Sequence, residues 1–88
     1  MAYFISLDSI KHDQAFEIVK KLCNIAEYYI KESNNARFNG NFYISKKYHN
    51  VSKHNLIRAY KIANHYDFGI VNKITTALTD MDVKIDKL

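Results

Sequence analysis

The chain contains one cysteine, Cys23, two glycines and no proline or tryptophan. A single thiol cannot close an internal disulfide, and no cysteine–histidine pair has zinc-finger spacing, which excludes a disulfide scaffold and a structural zinc centre. A reducing compartment is the simpler reading. Long apolar runs are also missing, since nothing approaches the roughly 18–20 residues that a membrane helix requires. The opening Met-Ala-Tyr-Phe-Ile-Ser-Leu has no positively charged stretch before its apolar run and no small-residue cleavage signature. A cytoplasmic location without a membrane partner is expected. One absence is local: no Asp or Glu occurs between Ser33 and Tyr66.

At 88 residues the chain can bury only about two-thirds of its unfolded surface, so one domain spanning residues 1–88 around one core is expected. Apolar residues make up 48% and charged residues 25% of the chain, proportions that suit a folded domain and argue against disorder.

Tyr3, Ile5 and Leu7 alternate with Ala2, Phe4 and Ser6, a period of two that predicts a first strand, broken at Asp8 or Ser9. From about Lys11 to Ser33 the period changes. Ala15, Ile18, Val19, Leu22, Ile25, Ala26 and Tyr29 form one stripe, with Asp13, Glu17, Lys20, Asn24, Glu27 and Lys31 opposite. This predicts an amphipathic helix supported by Glu17–Lys21 and Glu27–Lys31 pairs at i,i+4. Cys23 beside that stripe reads as a small core residue. Asn39-Gly40 lies between two aromatic runs and supplies the positive φ angles of a tight hairpin, so strands are expected at 36–38 and 41–46. In the second of these, Phe42 and Ile44 would point into the core, with Tyr43 and Ser45 outward. Ser52 is a candidate N-cap for a second helix carrying Leu56, Ala59, Tyr60 and Ala63, broken near Gly69 before a run with Val71, Ile74 and Leu78. Residues 82–86 alternate again and read as a last strand.

The resulting order, β-α-β-β-α-β, is that of an α+β ferredoxin-like sandwich. The competing architecture is a mostly helical domain with a small hairpin, its terminal runs being short extended tails. In the sandwich, edge pairing through the short second strand and the Val83/Ile85 run would give a homodimer.

Charge carries the functional expectation. The segment from Ser33 to Tyr66 holds six cations, Arg37, Lys46, Lys47, Lys53, Arg58 and Lys61, whereas the rest of the chain has seven basic and nine acidic residues. Clustered cations attract a polyanion by releasing its condensed counterions. His54, Arg58, Lys61 and His65 fall at helical spacing on one face, and Tyr43 and Tyr48 are interleaved with the cations as rings on which bases could stack. The expected ligand is therefore nucleic acid, RNA or a single strand, bound without catalysis or cofactor. A solvated basic surface is the plain alternative. Phe38 and Phe42 are expected in the core.

In its Lys, Asn, Ile and Tyr content and its lack of proline, the sequence resembles small accessory proteins of AT-rich phage genomes. That resemblance implies residence in a host cytoplasm and a second candidate role, as an antitoxin-like inhibitor of a host nuclease, toxin or defence factor. Phe-Asn-Gly-Asn-Phe-Tyr-Ile-Ser resembles the aromatic sheet platform of the RNA-recognition motif but departs from its basic-Gly-aromatic-Gly-aromatic order, so none of that family's stacking positions transfers. Tyr-Phe-Ile-Ser-Leu-Asp-Ser-Ile resembles the opening of the small metal-dependent nucleases of CRISPR adaptation. That likeness would make Asp8 a metal ligand shared between two protomers, against the ordinary role of such an Asp as a helix N-cap.

Overall fold

The computed structural model describes residues 12–88, which form α1 (His12–Phe38), α2 (Phe42–His65), α3 (Val71–Asp80) and a short 3₁₀ turn at Ile85–Lys87. No strand occurs among the described residues. The ferredoxin-like sandwich is therefore wrong, and the mostly helical alternative holds. The predicted strand at 36–38 is the last turn of α1, that at 41–46 the first turn of α2, and that at 82–86 an irregular stretch running into the 3₁₀ turn. The predicted first strand and Asp8 lie outside the described residues. With no sheet edge among the described residues, the edge-pairing route to a homodimer is lost.

The misreading at Asn39-Gly40 has a specific physical cause. A residue with positive φ suits a β-hairpin, and it equally suits the left-handed end of a helix. Gly40 has φ 79°, its N–H donates to the Arg37 carbonyl at 3.0 Å, and the Asn41 N–H donates to the Ala36 carbonyl at 2.8 Å. Those two bonds make a Schellman cap. Asn41 then serves both helices, since its Oδ1 accepts from the Ile44 N–H at 3.2 Å and starts α2.

The same device ends the other two helices, with aspartate in place of glycine. Asp67 (φ 57°) and Asp82 (φ 62°) occupy the left-handed position. The next residues, Phe68 and Val83, return their N–H groups to the Ala63 and Leu78 carbonyls at 2.9 and 3.0 Å. The break expected near Gly69 is present, but Asp67 makes the turn.

α1 and α2 pack as an antiparallel hairpin whose seam is built from small residues. Buried positions on α1 are Ala15, Val19, Leu22, Ala26 and Ser33; on α2 they are Ser45, Ser52, Leu56, Ala59 and Ala63. Their spacing alternates mainly between three and four, the pattern that keeps one helix facing another over several turns. The Ser33 hydroxyl donates to the Ser45 carbonyl at 2.8 Å and lies 3.1 Å from the Ser45 Oγ. One heptad along, the Ser52 hydroxyl donates to the Ala26 carbonyl at 2.8 Å. These contacts fix the register, setting Leu22 opposite Leu56, Val19 opposite Ala59 and Ala15 opposite Ala63. Ser52 is thus a fully buried seam residue in the middle of α2, not an N-cap.

α3 closes the core with Ile74 and Leu78, the latter wholly buried, a burial that contributes about 1.5–3 kcal/mol. Phe68 anchors the preceding turn, edge-on to Phe16 at 5.4 Å and stacked on Tyr66 at 5.5 Å. Cys23, expected as a small core residue, is half-buried and packs against the core from its edge. Among the described residues, no helix is long and apolar enough to cross a membrane.

Candidate nucleic-acid interface

α2 runs for 24 residues without a carboxylate and carries Lys46, Lys47, Lys53, Arg58 and Lys61. Its buried positions define one face. Opposite them, at steps of three, four and seven, stand Tyr43, Lys47, His54, Arg58, Lys61 and His65, all exposed. The helical rise sets the two ends of this stripe about 33 Å apart. Most of the predicted site residues are therefore brought into one straight row.

The remaining predicted residues separate from it. Lys46 and Lys53 share a flank of α2, where Lys46 is exposed and Lys53 half-buried. Tyr48 is half-buried and its ring lies 5.5 Å from that of Tyr29, which in turn meets Tyr28 edge-on at 5.2 Å. Its ring is engaged within the helix pair. His65 meets Tyr66 edge-on at 4.9 Å. Arg37, at the end of α1, lines a groove of about 390 Å³ between the helices, with His49, Glu27 and Asp80 as its other titratable groups. Arg37 thus belongs to this groove and not to the row on α2.

Among the described residues, Lys47, Arg58 and Lys61 have no ion-pair partner. Among the described residues the one ion pair is Lys20–Glu17 on α1, at 3.6 Å and i,i+3, with the Lys20 ammonium also over the Phe16 ring at 5.6 Å. The expected i,i+4 pairs do not form. Like charges at i,i+3 and i,i+4, such as Arg58 and Lys61, disfavour a helix slightly. α2 keeps them because tertiary packing of its other face outweighs that repulsion. Comparison with protein-family models, curated proteins and solved structures finds no match.

Two aromatic side chains expected in the core are in solvent, Phe38 being 92% exposed and Phe42 68%, while Tyr43, expected to face outward, is 78% exposed. Phe42 and Ile44 were expected to point inward and Ser45 outward; instead Ser45 is buried and Phe42 exposed. Helical rather than alternating phase is the reason. Among the described residues, no group of three or more His, Cys, Asp or Glu side chains is placed to hold a metal ion.

Burial, and secondarily the charge of Glu27, raise the pKa of the Cys23 thiol above its ordinary value. That holds it in the protonated, weakly nucleophilic form at neutral pH.

Proposed function

We propose that this chain binds nucleic acid through the outer face of α2, with Lys47, Arg58 and Lys61 on phosphates and Lys46 and Lys53 adding charge from the flank. One observation carries the reading: a helix of 24 residues without a carboxylate presents Lys46, Lys47, Lys53, Arg58 and Lys61, and none of these five pairs with a carboxylate among the described residues. A polyanion would relieve the repulsion along that face and release its own counterions.

The test is fluorescence anisotropy of single-stranded RNA, single-stranded DNA and duplex DNA at two salt concentrations, comparing wild type with Lys47→Glu/Arg58→Glu/Lys61→Glu. Salt-sensitive binding by the wild type that the variant loses supports the proposal. A folded wild type that binds none of the three at low salt overturns it. The phage-type composition keeps a second reading alive, an inhibitor that covers an acidic patch on a host nuclease, toxin or defence factor. Such an inhibitor would purify free of nucleic acid and form a complex with its target that survives nuclease treatment.

A further inference from the structure

The α1–α2 turn gathers Phe38, Phe42 and Tyr43 at the end of the helix pair, each more than two-thirds exposed. The turn does not need them. Its geometry is made by Gly40, by backbone bonds to Ala36 and Arg37, and by the Asn41 side chain. Nor does the core use them, since the seam closes at Ser33 and Ser45, below the tip. Three exposed rings at one end of the hairpin, with no role in the packing of the described residues, mark a contact surface.

The surroundings of the rings give the chemistry of the contact. Lys46 and Lys47 follow Phe42 and Tyr43 at i,i+4, and no carboxylate occurs between Ser33 and Tyr66. Tyr43 is also the first residue of the row that continues through Lys47, His54, Arg58, Lys61 and His65. We propose that Phe38, Phe42 and Tyr43 stack unpaired nucleobases, so that the hairpin tip selects single-stranded over duplex nucleic acid while α2 holds the phosphates. This rests on the nucleic-acid reading above. A free base offers a ring face to any aromatic side chain, whereas a duplex keeps its faces inside its own stack.

Geometry favours a strand over an anionic bilayer. The rings sit at the end of the hairpin and the cations run along its side. A flat membrane meets an end or a side; a flexible strand follows one onto the other.

The chain has no tryptophan, so Phe38→Trp places a sole reporter at the tip. It is titrated with a thymidine oligonucleotide, with a DNA duplex, and with phosphatidylcholine vesicles containing phosphatidylserine. Quenching by the oligonucleotide and not by the duplex is expected. In parallel, Phe38→Ala/Phe42→Ala/Tyr43→Ala, checked for retained helix by circular dichroism, should lose roughly tenfold or more in single-strand affinity and stay within about twofold on duplex. Equal loss on both ligands, or no loss, overturns the stacking role and leaves the basic row standing. Absence of binding to either ligand by the wild type overturns both. Blue-shifted, enhanced emission on the anionic vesicles with single-strand affinity unchanged in the triple variant would give the rings to lipid and overturn the proposal.

Discussion

Replacing Ser52 with leucine is the sharpest test of the hairpin's packing. Ser52 is fully buried in α2, and its hydroxyl donates to the Ala26 carbonyl of α1 at 2.8 Å. The Ala26 carbonyl lies within α1, so losing the hydroxyl removes one supplementary bond. Ser52→Ala should therefore cost about 1 kcal/mol or less. Leucine also loses the bond and must fit a branched chain between two backbones spaced for alanine and serine, adding about 1–3 kcal/mol of overpacking strain. With the bond taken at about 1 kcal/mol, the sum is about 2–4 kcal/mol, a fall in Tm of roughly 8–32 °C for a domain of this size, against about 4–8 °C at most for alanine. His54→Leu, two residues on and exposed, serves as control and should shift stability by about 0.5 kcal/mol or less. Thermal unfolding followed by circular dichroism at the helical minimum reads all three. A Ser52→Leu protein as stable as wild type would refute close approach of the helices at this register.

The serine pair predicts a cross-link: Ser33→Cys/Ser45→Cys in a Cys23→Ser background should oxidise to a disulfide that speeds migration on a non-reducing gel, because the two hydroxyl oxygens are 3.1 Å apart. At the helix ends, Asp67→Gly should raise stability by about 0.5–1 kcal/mol, since glycine takes φ 57° without strain and removes a carboxylate from the negative end of the α2 dipole. Gly40→Ala should cost about 1 kcal/mol from φ alone, there being nothing within 4 Å of an added Cβ; denaturant titration measures both changes. For Cys23 the folded-state pKa is raised, so the folded protein holds the thiol proton more tightly than the unfolded chain. Its contribution to stability is complete below the unfolded thiol pKa of about 8.5 and declines as pH rises through and beyond it. Comparing wild type with Cys23→Ala from neutral to alkaline pH, the difference in stability between them should move against the wild type as pH rises.

α1 was legible because Val19, Leu22 and Ala26 repeat at helical spacing against a charged opposite face. The first half of α2 was not, and its seam residues explain why. Ser45 and Ser52 are buried by pairing hydroxyls with the facing helix, yet in sequence they read as polar, surface or capping residues, so the helical stripe seemed to begin only at Leu56. Over the same stretch the fold exposes its most apolar side chains, Phe38 and Phe42, which made an alternating strand look buried on one side. Asn39-Gly40 supported that reading, since positive φ serves a hairpin turn and a Schellman cap alike. Two serines placed to face their partners across an antiparallel hairpin were the available signal, and it needs the register before it can be recognised. Of the candidate site, the row His54–Arg58–Lys61–His65 was visible in spacing alone. Extension of the row to Tyr43 and Lys47 required knowing that α2 starts at Phe42, and the separation of Arg37 required seeing the groove it faces.

Phosphate binding by the outer face of α2 is read out by the salt dependence of single-strand affinity. With three to five cations engaged, log affinity should fall against log salt with a slope of about −2 to −3.5. Lys47→Glu/Arg58→Glu/Lys61→Glu should flatten that slope by about 2, with helix content unchanged. A wild-type slope near zero, or a triple variant with affinity and slope intact, would mean that these cations do not engage phosphates.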